Sequence, residues 1–423
     1  MEQYVCAFRG RRDSYQAPLA LAESGILDQF ITDAYAMSWV QALARLAPAA
    51  VRAKVAFRSE PGIPVERVRC LWGTTVIEHL RHRLGYAPMI TYNRLDQHFS
   101  RAAARRAART RSHLFLYSPY AWEAFTARYF HTPHKVLFQF HPHPALERRL
   151  LAEDSERHPL VGESFSGTPY GNMPDALVER DCEAWKHADL IFCASTFTKR
   201  SLLEAGADER KCRVVSYGIG VPHEVAGEPP EETFHAVFVG SGGQRKGLHH
   251  LLLAWQRAAL PASSKLTLVC RVLDRGIESM LAETPRVELR RGVRAEELTR
   301  IYARSSLFVM PSLVEGFGQV YLEAMAQGCP VLGTANTCLP DLGGETDGIF
   351  LVTAGNVDEL AANLERLSRD LPRNRELRRT TRACASRFTW PTFRQRLRHA
   401  LRSSSPLALE DIAANLETQS FKA

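Results

Sequence analysis

Short apolar runs bounded by turn residues alternate along the chain with longer stretches in which apolar positions recur every three or four residues, the pattern of buried strands joined by helices. In the first half, residues 4–8, 113–117 and 135–140 read as strands, with helices expected at 14–23, capped by Ser14, and from Pro119. Residues 175–220 close that half as helix, strand, helix, strand, with Ser195 capping the second helix and Gly206 ending it. The second half repeats the scheme, with strands expected at 235–240, 266–271, 287–290, 307–310, 330–333 and 349–352. Strands separated by helices lie parallel. The expectation is therefore an α/β chain of two facing Rossmann-like, doubly wound domains with a cleft between them, 1–220 and 234–386, joined by a Pro- and Glu-rich linker at 221–233. Residues 36–100 mix aromatic residues with Arg and His and show no clean period, and 154–175 read as a Gly-, Pro- and Ser-rich loop, either a flap over an acceptor or a surface loop.

The most informative stretch is SSLFVMPSLVEGFGQVYLEAMAQGCPVLGT, residues 305–334. Pro311 and Ser312 break its first strand, the Gly316 to Gly318 loop lets backbone approach a ligand closely, and the helix that follows, at about 318–327, turns its first N–H groups back toward that loop. Two carboxylates sit eight positions apart, Glu315 in the loop and Glu323 in the helix. A lone helical Glu is ordinarily a solvated one. Here Val320, Tyr321, Leu322, Ala324, Met325 and Ala326 surround Glu323, so the helix is expected in the interior and Glu323 is expected to be buried with a partner, such as ligand hydroxyls. Free amides beside two carboxylates suit a ligand carrying both phosphate and hydroxyls, as a nucleotide sugar does.

Three further places add candidates. The loop SGGQRKG, residues 241–247, offers the amides of Gly242 and Gly243 with Arg245 as a bidentate fork and Lys246 as a point charge. It is either a simple turn or a phosphate cradle; it is not a Walker loop, having no Ser or Thr after the Lys, nor a dinucleotide fingerprint. Gly10 marks the first strand-to-helix turn, either a ligand-binding loop or a plain tight turn, and Arg271 ends the second strand of the second half, at the edge where ligands bind. His141 and His143 follow a strand amid prolines; with only Glu147 nearby, a metal site there lacks ligands.

Composition narrows the class. A chain of 423 residues, 45% hydrophobic and 24% charged, can build two ordinary cores. Nine cysteines are scattered without a Cys-x-x-Cys pair, which fits buried free thiols in a reducing compartment. No apolar leader or membrane-length run is present, so a cytoplasmic location is expected. The net charge of +8 favours acidic partners, and the run RAAARRAARTR, residues 101–111, places Arg101, Arg105 and Arg109 on one helical face, either a solvated face or a peripheral contact with anionic membrane lipid. Nucleic acid is not expected, since no stacking pattern or binding module accompanies the arginines.

EGFGQVYLE followed by AMAQGCPV resembles the Glu, seven residues, Glu motif of retaining glycosyltransferases of family 4, which have the GT-B fold. The resemblance is specific over 231–370, fair over 174–220 and loose before 170. It implies that Glu315 contacts the transferred sugar, that Gly316, Phe317 and Gly318 contact sugar and phosphate, and that Glu323 binds the nucleotide ribose. It places a histidine near the donor sugar, with His141 preferred to His143, and uses a basic pair to neutralise the donor diphosphate. Lys246 matches that pair; Ser241 stands where an Arg is usual, and Arg245 substitutes. Two departures stand out: only Gly10 remains of a glycine pair in the first loop, and Gly220 replaces an acid after the Tyr217–Gly218 turn. FTWPTFRQRLRHAL resembles the terminal segment whose helix, 387–402, crosses back to the first domain, with Trp390 and Phe393 as packing residues and 403–423 as a tail. The implied activity is transfer of a sugar, with retention and without a cofactor or catalytic metal, from a nucleotide sugar to a hydroxyl of a glycan, lipid-linked or small-molecule acceptor. Glu315, His141 and Lys246 are the expected catalytic residues and Gly10, Arg245 and Arg271 further donor contacts; a non-catalytic nucleotide-sugar-binding scaffold and a GT-B epimerase are the alternatives.

Overall fold

The computed structural model describes residues 2–84, 88–161, 180, 182–220 and 233–403. Among the described residues two all-parallel sheets form. The first takes β1 (Tyr4–Ala7), β2 (Leu27–Thr32), β3 (Val68–Cys70), β4 (His113–Tyr117), β5 (Lys135–Gln139), β6 (Leu190–Cys193) and β7 (Cys212–Val214) in the order β3-β2-β1-β4-β5-β6-β7. The second takes β8 (His235–Val239), β9 (Lys265–Val269), β10 (Val287–Arg290), β11 (Leu307–Val309), β12 (Val331–Thr334) and β13 (Ile349–Val352) in the order β10-β9-β8-β11-β12-β13. Central strands such as β1, β6 and β12 are buried along their whole length, because helices cover both faces of each sheet. That is why they read as continuous apolar runs.

Each sheet reverses its strand order once, between β1 and β4, where Val5 lies beside Leu114, and between β8 and β11, where Ala236 lies beside Leu307. Crevices at such reversals, outside the carboxyl ends of the strands, are where ligands enter doubly wound sheets. The loops leaving β1, β5, β8 and β11 carry Gly10, His141, Arg245 with Lys246, and Glu315 respectively.

The chain ends described here with the helix Trp390–Ser403, which packs on the first domain's helix Gln16–Glu23. Phe393 is buried against Phe138 and Tyr217, with ring centroids 6.1 and 5.6 Å away, and Arg394 and Arg398 both reach Glu23, at 2.9 and 2.8 Å. Trp390 does more than pack, since it also lines a cavity in the cleft.

Several local expectations fail. Ser14 caps nothing: Asp13, Ser14 and Tyr15 take φ of 47°, 51° and 63°, and the helix starts at Gln16. The helix after β4 is reduced to the short turns Ser118–Tyr120 and Trp122–Phe125. The helix Pro144–Arg157 runs into the segment expected to be a loop, whose remainder lies largely outside the described residues, as do the linker 221–232 and the tail 404–423. All nine cysteines are free, eight of them buried. Arg101, Arg105 and Arg109 are exposed on the helix Pro88–Thr110, while Arg106 turns inward and donates from Nε to Asp28 at 2.8 Å.

Candidate active site

The loop from Pro311 to Gly318 is wedged between the domains, and its packing explains its composition. The Gly316 carbonyl accepts from the Ser195 hydroxyl at 2.6 Å and the Thr198 hydroxyl at 3.2 Å, both in the first domain. A Cβ on Gly316 would stand 1.9 Å from the Phe140 carbonyl oxygen, so only glycine permits this approach. Ser195 also caps its helix, accepting from the Thr198 N–H at 3.1 Å, so one side chain both starts a helix and holds the other domain. Thr196 N–H to Asp341 at 2.7 Å and Gln319 to the Gly218 carbonyl at 2.9 Å complete the seam.

Within this seam Glu315 is 7% exposed. Its carboxylate is clasped by the Lys246 ammonium and lies 3.4 Å from Arg245 Nη1. The two loops are tied by backbone as well, Leu313 N–H donating to the Arg245 carbonyl at 3.0 Å. Gly247, at φ 67° and with room for no Cβ beside the Pro311 carbonyl, turns the basic loop into the helix Leu248–Arg257. Burial alone would push the Glu315 carboxyl up; Lys246, Arg245 and then His141 reverse this and hold it at about 2, so it stays ionised. Burial lowers Lys246 while Glu315 opposes the shift, and Glu315 raises Arg245.

The two histidines separate cleanly. Burial, with Arg245 beside it, pushes His141 down to about 3, so the imidazole is neutral, and its buried Nδ1 has no hydrogen-bond partner. His143 instead caps the helix Pro144–Arg157, accepting from Ala145 N–H at 3.3 Å, and its Nε2 lies 3.2 Å from the Cys182 carbonyl. It is committed to structure.

Glu323 corrects an expectation. The helix Gln319–Ala326 does bury Tyr321, Leu322, Ala324 and Met325, but Glu323 is exposed on its remaining face. It opens on a cavity of about 710 Å³ in the cleft, shared with Ser14, Gly220, Thr299, Tyr302 and Trp390. Tyr321, Leu322, Ala324 and Met325 do not line this cavity, so the helix is apolar nearly all round without being enclosed. Desolvation raises the Glu323 carboxyl, and the hydroxyl of buried Tyr302 acts the other way. No side chain caps the helix at Gly318, which has φ 88°. Phe317 is buried and edge-on to Tyr217, at 5.6 Å between centroids.

Gly10 has φ 77° and donates its N–H to Asp33 at 2.9 Å, with open space where a side chain would be. Arg271 is exposed past the end of β9, in a segment that flanks the glycine loop through the Gly242 N–H bond to the Val272 carbonyl at 2.8 Å.

Residues 233–370 match the family described as glycosyl transferases group 1. That match falls on the second domain. MMP alpha-(1->4)-mannosyltransferase of Mycolicibacterium hassiacum is 36% identical over 154 residues, 34% of this chain, and the chain spans 37% of that relative's length. The fold of the whole chain is shared more widely. Sucrose-phosphate synthase from Thermosynechococcus elongatus superposes with a TM-score of 0.67 at 16% identity, covering 95% of this chain and 99% of that one. Anabaena HepE, solved in complex with UDP-glucose, gives 0.59 at 16% identity over 95% and 100%. These neighbours establish the GT-B architecture of two Rossmann-like domains.

Around these loops the structure adds residues that the sequence did not assign to the donor site. Arg12 lies with its guanidinium 4.0 Å from the centre of the Phe140 ring, beside His141, and Asp13 accepts from the Tyr217 hydroxyl at 2.8 Å. Glu147 is buried in the first turn of its helix; burial raises its carboxyl, and nearby Arg245 counters the rise. Proximity to Arg245 is set by domain packing, and no local spacing signals it.

Proposed function

We propose that the protein is a retaining, metal-independent glycosyltransferase that moves a sugar from a nucleoside diphosphate sugar to a hydroxyl of a glycan, lipid-linked or small-molecule acceptor. The observation that carries this reading is the buried clasp of Glu315 by Lys246 and Arg245, next to a cleft cavity edged by Glu323. The nucleoside takes the cavity, its ribose hydroxyls donating to the Glu323 carboxylate, while the diphosphate faces Arg245, Lys246 and the uncapped start of the helix Gln319–Ala326. Lys246 then turns from Glu315 to phosphate, which frees Glu315 to accept from hydroxyls of the transferred sugar. Neutral His141 supplies a hydrogen bond from its unpartnered side.

As the bond from the anomeric carbon to the diphosphate oxygen breaks, negative charge grows on the diphosphate, and the two cations stabilise it in a site from which water is largely excluded. The acceptor oxygen bonds to the same carbon, and its proton passes to the departing diphosphate. No metal is required for that charge. One relative, 36% identical over 154 residues, is named as a mannosyltransferase, which puts mannosyl donors first among those to try. The exposed arginine face of the helix Pro88–Thr110 is the surface we assign to anionic lipid at the cytoplasmic side of a membrane, and no described helix is long and apolar enough to cross one.

The test is incubation with UDP, GDP and ADP sugars in EDTA, following nucleoside diphosphate release with and without acceptor glycans. Release from one donor that disappears in Glu315→Gln and Lys246→Ala supports the reading. Failure of every nucleotide sugar to bind in calorimetry overturns it.

A further inference from the structure

Apart from the clasp, three imidazoles and a carboxylate converge where the two domains meet. Asp154 and His158, four positions apart, lie at the end of the first-domain helix Pro144–Arg157; His249 and His250 open the second-domain helix Leu248–Arg257, three and four residues past Lys246. One ligand atom from each of the four lies within 4.8 Å of the others. Nε2 of His249 is 3.1 Å from one Asp154 oxygen and Nε2 of His250 is 2.9 Å from the other. The His249 and His250 rings stand 3.7 Å apart between centroids, and the His158 ring is 5.1 and 5.0 Å from them.

Burial makes this arrangement costly as it stands. His249 and His250 are 0% and 1% exposed, and Nδ1 of neither makes a hydrogen bond. Buried polar atoms are ordinarily paired, and three imidazoles crowded on one carboxylate gain little from packing alone. The carboxylate is meanwhile held in place: Gln244 Nε2 donates to Asp154 at 2.8 Å, the kind of outer contact that orients a metal ligand.

We propose that Asp154, His158, His249 and His250 bind a divalent transition-metal ion of the zinc type and so join the two domains. Three imidazole nitrogens and one carboxylate oxygen form a four-coordinate set suited to zinc, with bonds of about 2.0–2.2 Å. Ligand atoms around such an ion lie roughly 3.3 Å apart, so the widest separation here closes by about 1.5 Å on binding. Asp154 also lines a cavity of about 490 Å³ between the domains, which gives the ion a way in. With four protein ligands the site has no open position for a substrate. Its role is structural: it fixes the helix that follows the basic loop against the first domain. It is separate from the metal-free transfer proposed above, and either can fail without the other.

The test uses the full-length chain without an affinity tag, stripped with EDTA and titrated with cobalt(II). The expected result is one equivalent bound with the visible absorbance of four-coordinate cobalt, displaced by one equivalent of zinc, and a rise in Tm with zinc. His158→Ala and His250→Gln should weaken binding at least ~10-fold and abolish the Tm rise, with unchanged far-UV circular dichroism. His158 is only partly buried, so its variant keeps the test decisive if His250→Gln fails to fold. Folded wild type that takes up neither ion, or variants that bind as wild type does, would overturn the proposal.

Discussion

Glu315 and Glu323 stand eight positions apart on one loop-helix unit, yet the two ends of the unit solve opposite electrostatic problems. Glu315 is buried and clasped by two cations, which hold it ionised at about 2. Glu323 faces a cavity, and desolvation raises its carboxyl with only the Tyr302 hydroxyl acting against the rise. At the first end the protein has already organised its charges around one another; at the second it leaves a carboxylate for a ligand to satisfy. On the function proposed above, the contrast gives chemistry to the Glu315 end and recognition to the Glu323 end.

The strongest way to break this division is Glu315→Gln. Removing a charged group aimed at the reacting centre commonly costs about 100- to 1,000-fold in kcat, and that is the loss expected here, with nucleotide affinity changed far less. Steady-state kinetics beside calorimetry with the nucleoside diphosphate separates the two. A larger kcat loss in Glu323→Gln than in Glu315→Gln would reverse the assignment.

Gly316→Ala comes next, since a methyl there would collide with the Phe140 carbonyl oxygen. The loop must shift by an ångström or more, and a misplacement of that order can cost about 100-fold in rate. The nucleotide pocket is built largely from the second domain, so the nucleoside diphosphate Kd should move by less than about threefold. Equal losses in rate and in affinity would show that Gly316 shapes the pocket and not the closure.

The sequence disclosed the two ends of this unit unequally, and the reasons are physical. Strands such as β4 and β13 and the start of the helix Leu248–Arg257 appear where the pattern puts them, because apolar runs and the glycine before the helix mark them locally. The region 36–100 was opaque because many apolar residues of its helices, among them Leu43, Phe57, Val76, Ile77 and Leu80, are exposed and trace no core stripe. Three consecutive non-glycine residues at positive φ, Asp13 to Tyr15, leave no sequence mark, and they turn Arg12 toward Phe140. Glu323 was misplaced because periodicity reports which faces are apolar and says nothing of a cavity that opens beside the helix, lined mostly by its own domain. His141 and His143 are indistinguishable by pattern until the helix cap at His143 is seen. Asp154 meets His249 across 95 positions, a distance that no motif spans.

A smaller effect is expected from Glu323→Gln. A hydrogen bond to a charged group contributes about 1.5–3 kcal/mol, so the variant should bind the nucleoside diphosphate roughly 10- to 100-fold more weakly, with kcat at saturating donor nearly retained. Folding stability at neutral pH should rise slightly, because desolvation penalises the ionised Glu323 carboxylate and no ion pair among the described residues offsets it. A deoxyribose donor analogue sharpens this: wild type should discriminate against it, and Glu323→Gln should not. Discrimination that persists in the variant would place the ribose elsewhere.

The smallest effect is also the one that separates the two carboxylates by sign. Both start from 4.5 in the unfolded chain. Glu315 titrates lower when folded, so the unfolded state binds more protons between 4.5 and about 2, and the stability this group contributes is present above 4.5 and drains away as pH falls through that window. Glu323 titrates higher when folded, so just above 4.5 the folded state takes up the proton first, and acidification there favours folding. His141, held at about 3, adds a steady loss from 6.5 downward that is common to wild type and both variants to first order. Subtracting each Gln variant's Tm from that of wild type across pH 6 to 3 therefore isolates each carboxylate. The Glu315 difference should shrink toward acid and the Glu323 difference should grow. Parallel slopes would mean that the two ends share one electrostatic environment, and the division of labour between them would fall.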